Sequence, residues 1–255
     1  MSGVLADILA TKAAEVVELR ARRFGPPPPR RALPLARRPG EPLRLITEIK
    51  RRSPSAGALS TKLGVAERAR VYERAGASML SVLTDARFFD GSFDHLAEAR
   101  AACALPILCK EFVIDEVQLD AARSYGGDAV LLIVRCLEPK RVAALVAAAR
   151  ARELEPFVEV ANEDEARLAL DAGATLVGVN ARDLDALVMD MARAARILET
   201  LPESVVTVHL SGLSSPEAVR TVARSRAHAA LIGETLMRQD DPASLLESLV
   251  AAARG

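Results

Sequence analysis

Two lysines and two glutamates in this chain stand where apolar segments end, and they are the residues best suited to acid–base chemistry. Glu48 and Lys50 open the segment Glu48-Ile-Lys-Arg-Arg-Ser-Pro-Ser-Ala-Gly57. Lys110 closes Pro106-Ile-Leu-Cys-Lys-Glu-Phe112, and Glu159 lies between valines in Glu155-Pro-Phe-Val-Glu-Val160. Alternation along a strand puts Glu48 and Lys50 on one face. There each charge favours the ionised form of the other. A lysine in a poorly hydrated mouth can donate a proton or form a Schiff base. A glutamate flanked by valines is costly unless paired, and Lys110 or Lys50 is its expected counter-ion. The bland alternatives are a solvated basic loop after Lys50, an end-of-strand lysine at 110 and a purely structural ion pair at Glu159.

Three further groups could bind a substrate. Asn180 and Arg182 follow an apolar run in Val177-Gly-Val-Asn-Ala-Arg-Asp-Leu184. A guanidinium there can grip a carboxylate with two parallel hydrogen bonds, or pair with Asp183 or Asp185. Ser211-Gly212 and Gly233-Glu234 follow the last two apolar runs. Glycine turns of this kind expose backbone N–H groups to a phosphate, although Glu234 would set a carboxylate beside it unless its side chain turns away. Of the histidines, His95 and His228 are expected in helices, and His209 near enough to the mouth to reach it. No His, Cys, Asp or Glu spacing resembles a metal site, and no dinucleotide or P-loop motif occurs; neither metal nor cofactor is expected.

These residues need a scaffold that brings distant strand ends together. Eight apolar runs span the chain: Leu45–Lys50, Met79–Asp85, Ile107–Lys110, Ala129–Arg135, Phe157–Glu159, Leu176–Asn180, Val205–Ser211 and Ala230–Glu234. Stretches rich in Ala, Leu, Arg and Glu, each long enough for a helix, separate them. Short apolar runs bounded by Gly or Pro read as strands buried on both faces. Eight strand–helix units in 255 residues predict an α/β protein, a (β/α)8 TIM barrel, whose chemistry sits where the strands end.

Local signals place the helices. Asn162-Glu-Asp-Glu165 has the pattern of a capping box. Ser215-Pro216 and Asp241-Pro242 put proline in a first turn. Gly76, Gly126-Gly127 and Gly173 stand where helices should stop. Ahead of the first strand, Val4, Ile8, Leu9, Val16 and Leu19 recur at roughly helical spacing, and Gly25 is followed by four prolines. Residues 1–255 are read as a single barrel domain, with 1–42 as an N-terminal helical extension packed on it.

Composition narrows the class. The 34 basic and 34 acidic residues cancel, so no global field favours nucleic acid or an anionic membrane. Aromatics are 3% with no Trp, which leaves Ala, Leu and Val to fill the core. Cys103, Cys109 and Cys136 form no C-x-x-C pair and read as reduced thiols. Met1–Arg22 lacks the continuous apolar stretch of a signal peptide, and no run is long enough to cross a membrane. A cytoplasmic monomer is expected.

Taken in order, Ile8-Leu-Ala-Thr-Lys12, Glu48-Ile-Lys-Arg-Arg-Ser-Pro-Ser55, Leu83-Thr-Asp85, Phe88-Phe-Asp-Gly-Ser92, Leu108-Cys-Lys-Glu-Phe112, Val158-Glu-Val160, Gly178-Val-Asn-Ala-Arg-Asp-Leu184, Ser211-Gly212 and Gly233-Glu-Thr-Leu-Met237 resemble the indole-3-glycerol phosphate synthase family along the whole chain. The resemblance implies ring closure, with loss of CO₂ and water, of 1-(2-carboxyphenylamino)-1-deoxyribulose 5-phosphate to indole-3-glycerol phosphate in tryptophan biosynthesis. It implies Lys110 as general acid, Glu159 as acid–base carboxylate, and Lys50 with Glu48 in binding and dehydration. Ser53, Asn180 and Arg182 would hold the anthranilate part, Phe112, Leu131 and Leu184 would line its pocket, and Ser211, Gly212, Gly233 and Glu234 would surround the phosphate. The chain departs from the family pattern twice: Leu210 stands where the family has a glutamate, with His209 ahead of it, and Ala56 stands where its loop has a lysine. Those losses keep two other readings open, a lysine-dependent aldolase or isomerase on the same barrel, and a non-catalytic barrel that binds a phosphorylated ligand.

Overall fold

The computed structural model describes residues 3–54, 56–182 and 188–255. Eight parallel strands close into a barrel: β1 (Arg44–Ile49), β4 (Met79–Leu83), β5 (Ile107–Lys110), β6 (Ala129–Ile133), β7 (Glu155–Val160), β8 (Leu176–Asn180), β9 (Val206–Leu210) and β10 (Ala229–Ile232), with β10 returning to β1. A two-strand ladder, β2 (Arg52–Ser53) with β3 (Gly57–Ala58), forms the loop after β1. Each expected apolar run overlaps one barrel strand, but the chain leaves the sheet before the polar residues that end several of them. After β6, for instance, Val134–Cys136 turn as a 3₁₀ helix.

Alternation sorts the core into two layers. Ile46, Met79, Leu108, Leu131, Phe157, Val208 and Leu231 fill the barrel interior. Leu45, Val82, Cys109, Val130, Val158, Val177 and Ile232 face the surrounding helices. The low aromatic content is thus met by aliphatic packing, with Phe157 and Tyr72 as the large buried rings. All three cysteines are free thiols in buried positions.

The helices form where the sequence supplies caps and stops. Ser215 accepts a hydrogen bond from the Ala218 N–H at the start of α9 (Pro216–Ala223), with proline in the first turn. Gly76, Gly126 and Gly173 adopt positive φ after their helices, a conformation that costs glycine little. The Asn162 reading needs correction. Asn162 does cap α7 (Glu163–Asp171) by accepting from the Glu165 N–H. The Glu165 carboxylate, however, accepts from the Ala161 N–H and the Asn162 side chain, not from the backbone of the cap residue. A complete capping box forms instead at Asp115 and Gln118, opening α5 (Glu116–Ser124). Pro242 stands at the N-cap position of α11 (Ala243–Ala252), just before the first turn and not within it. His228 lies before β10, not in a helix, and its Nδ1 accepts from the Thr207 N–H.

The leader spans the barrel from end to end. Its helix α1 (Val4–Arg20) buries Leu5, Ile8, Lys12, Val16 and Leu19, so the docked stripe starts at Leu5, and Val4 is exposed. The segment after it crosses the opposite end. There the Arg31 N–H donates to Asp128, and the Arg123 guanidinium donates to the Pro28 carbonyl. Among the described residues no helix is long and apolar enough to cross a membrane.

Candidate active site

Inward-facing positions at the C-terminal ends of the strands meet in one cavity of about 360 Å³. Two charged residues come from β1 and the turn after it: Glu48, buried, and Lys50, whose ammonium lies 2.6 Å from the Glu48 carboxylate. From β5 comes Lys110, with its Nζ 3.7 Å from Glu48 and 3.9 Å from Glu159 on β7. The Asn180 side chain at the end of β8 donates through Nδ2 to Glu159 at 2.8 Å, and its Oδ1 accepts from the Arg182 N–H at 2.9 Å. The counter-ion left open by the sequence is therefore Lys110 for Glu159, while Glu48 serves both lysines. Burial alone would raise the pKa of Glu48, but Lys50 and Lys110 outweigh it and hold the carboxyl below the ordinary range. Glu48 accordingly stays charged at neutral pH, where it keeps two ammonium groups gathered at the mouth.

The remaining wall is mostly apolar. Phe89, Phe112, Leu131, Ile133, Leu210 and Leu231 line the cavity, with Leu5 and Ile8 of α1 closing one side. Ser53 and Arg182 line it too; Ser53 also accepts from the Ala56 N–H, which fixes the loop after β1. Ser211 and Gly212, after β9, line the cavity as well, both at positive φ. A side chain at Gly212 would run into Met189 and Met191. Gly233 also lines the cavity, but for a different reason than a turn: a β-carbon there would collide with the Glu48 carboxylate. Glu234 lies beside it with its carboxylate 2.7 Å from Arg238, which turns that charge toward α10 (Glu234–Met237). Leu184 and the two aspartates proposed as partners of Arg182, Asp183 and Asp185, fall outside the described residues.

Two expectations about β9 resolve against each other. Leu210 points inward, pairs in register with Asn180 and packs above Gly178. His209 is corrected: it faces the helices, is buried outside the cavity, and its ring contacts the Ser211 carbonyl at 3.1 Å. Alternation forces this, since neighbours in a strand cannot both face the barrel axis. Burial lowers the His209 pKa, with the Ser211 carbonyl opposing in part. No polar group from His209 replaces the missing carboxylate.

Sequence reasoning missed a second charged cluster beside the mouth, reaching the cavity at Glu111. Lys12 is fully buried, with Nζ 2.7 Å from Asp85, 3.0 Å from Glu111 and 2.6 Å from Glu15. Its signal was present: Lys12 interrupts the apolar stripe of α1 at a position that the helical period turns inward. Among the described residues, no group of acidic, His or Cys side chains could hold a metal ion.

A closed eight-stranded barrel with paired ammonium and carboxylate groups at the strand ends is a (β/α)8 TIM barrel with its charged residues at the C-terminal face, where the enzymes of this fold place their chemistry. Solved structures agree on the fold: the chain resembles 3-hexulose-6-phosphate synthase with TM-score 0.66 at 18% identity over 82% of this chain and 99% of that one. It also resembles thiamine phosphate pyrophosphorylase from Pyrococcus furiosus, with TM-score 0.63 at 17% identity over 83% and 95%. At such identities the likeness concerns the fold alone. Sequence comparison reaches further. The family model for indole-3-glycerol phosphate synthase matches residues 5–249. The indole-3-glycerol phosphate synthase of Exiguobacterium sp. is 42% identical over 96% of this chain and 95% of its own length. Indole-3-glycerol phosphate synthase 2 of Streptomyces coelicolor is 43% identical over 98% and 100%. The chain belongs to the indole-3-glycerol phosphate synthase family.

Proposed function

We propose that this chain closes the indole ring of indole-3-glycerol phosphate at the cavity built around Lys110. It is a decarboxylating carbon–carbon lyase of tryptophan biosynthesis, with 1-(2-carboxyphenylamino)-1-deoxyribulose 5-phosphate as substrate. The observation that carries this reading is the Lys110 ammonium suspended between Glu48 and Glu159, facing an apolar wall of ring-sized residues. The substrate ring rests on Phe112 and Leu131, and its carboxylate turns to Ser53, Arg182 and Asn180. The phosphate lies at the rim formed by Ser211, Gly212, Gly233 and Glu234, where backbone N–H groups and not lysines meet it. Holding both ends of a flexible molecule converts ring closure into a positioned, intramolecular step.

In the first step the ring carbon that bears the carboxylate attacks the ketone carbon, and Lys110 protonates the oxygen as charge develops on it. Loss of CO₂ then returns the ring's electron pair. The new hydroxyl leaves as water, with Glu159 as the acid–base group and Lys50, held by Glu48, assisting. No cofactor enters this sequence. The leader of residues 1–42 belongs to the same catalytic unit, because Leu5 and Ile8 line the cavity. The enzyme acts as a monomer, and it works in a reducing cytoplasm, the second point supported by three buried free thiols. Incubating the purified chain with this substrate should give rising indole fluorescence and one CO₂ per product. A folded chain that binds the substrate without either change would instead be a non-catalytic relative.

A further inference from the structure

Lys12 is a buried cation in a helix stripe that is otherwise apolar, Leu5, Ile8, Val16 and Leu19. It bridges three parts of the molecule: α1, the turn after β4 and the turn after β5. Asp85, completely buried, divides its carboxylate between Lys12 at 2.7 Å and the Phe88 N–H, which it caps at 2.7 Å. Glu111, also buried, accepts from the Thr84 hydroxyl at 2.8 Å and from the Phe112 N–H at 2.8 Å, and meets Lys12 at 3.0 Å. Burial raises the pKa of Glu111 despite Lys12 and Thr84. For Lys12 burial is outweighed by the three carboxylates, and its charged form is favoured.

The position of Glu111 in the chain gives this cluster its meaning. It lies between Lys110 and Phe112, and all three residues line the cavity. Glu111 follows Lys110, the last residue of β5 (Ile107–Lys110), so strand alternation no longer fixes its direction, and its carboxylate is free to turn to the neighbouring ammonium where no other cation is offered. An unpaired buried carboxylate is costly, so the Glu111 side chain goes where a cation is offered.

We propose that Lys12 is a positioning residue: it holds the Glu111 carboxylate against α1, leaving the Lys110 ammonium to Glu48, Glu159 and the reacting oxygen. The leader helix thereby sets the acid as well as walling the cavity. Without Lys12, two buried carboxylates, Asp85 and Glu111, share no cation, and Glu111 turns toward Lys110 or shifts the Lys110–Phe112 turn. This inference rests on Lys110 being the general acid.

The test compares steady-state kinetics of full-length variants whose folding is followed by circular dichroism. Lys12→Met should lower kcat by about tenfold or more, the scale expected when a catalytic group is misplaced, with KM changed much less. Adding Glu111→Gln to it should recover most of the lost kcat, because the competing charge is gone. A helix anchor alone would lower thermal stability while leaving kcat of the folded protein unchanged, and that result overturns the proposal. So does a Lys12→Met loss that Glu111→Gln fails to relieve. Should Lys12→Met not fold, Lys12→Arg keeps the carboxylates paired and should hold kcat within about threefold of wild type; a loss of about tenfold there overturns the proposal as well. Lys110→Ala run alongside separates the two claims: an unchanged rate in that variant removes the acid assignment, whereas a large loss there with none in Lys12→Met removes only the role of Lys12.

Discussion

Lys110 is not committed to one partner. It stands 3.7 Å from Glu48 and 3.9 Å from Glu159, while the tighter contact of Glu48, at 2.6 Å, goes to Lys50. That looseness suits a proton donor, whose hydrogen bonds tighten only as charge develops on the substrate. Leu210 is the residue that sets this chain apart. It lies on the inner face of β9 and lines the cavity, so the mouth holds two carboxylates near its two lysines, where the family pattern implies a third. Leu210→Glu should raise turnover and carry the alkaline limb of the pH–rate profile to higher pH, because an added carboxylate keeps a neighbouring ammonium charged. Rate and limb both unchanged would make Leu210 a neutral wall residue. That Glu48, Lys50, Lys110, Glu159 and Asn180 meet at one mouth was legible in the sequence, because strand alternation and the cost of a lone buried charge constrain where such residues point. The direction of His209 was not, because it depends on a register that sequence does not supply.

At the scale of elements, the strands were legible as apolar runs, and the helices as the amphipathic stretches between them. Boundaries were less so. Capping depends on which of several polar side chains reaches a free N–H, and Asp115-Glu-Val-Gln118 competes on equal terms with Asn162-Glu-Asp-Glu165 in sequence. Only the packed structure shows Glu165 drawn to the Ala161 N–H at 2.7 Å and Arg135 at 3.0 Å. Ser215 is the plainest cap: its hydroxyl accepts from the Ala218 N–H at 3.2 Å beside the loop that ends at Gly212. Ser215→Ala should cost about 1 kcal/mol, which corresponds to a fall in Tm of about 2–4 °C for a chain of this size. Thermal unfolding followed by circular dichroism measures it, and an unchanged Tm would mean that water or another group caps α9 equally well.

The whole molecule joins two tasks that the sequence presents separately. Barrel closure brings β1 and β7 residues, more than a hundred positions apart in the chain, within reach of one ammonium on β5. The leader then closes the mouth with Leu5 and Ile8 and reaches the opposite end through Arg31 and Pro28. The eightfold repeat made the barrel legible, but the Lys12 cluster was not, since a charge on an apolar stripe has no visible partner until the strands are wound. The central claim is that Lys110 donates the proton for ring closure. Its most direct test is the initial rate of indole fluorescence from wild type and Lys110→Ala at saturating substrate, with circular dichroism as the check on folding. The account predicts a loss of about 10²–10⁴-fold in a variant that keeps the wild-type spectrum; a loss smaller than about tenfold in a folded variant would contradict it.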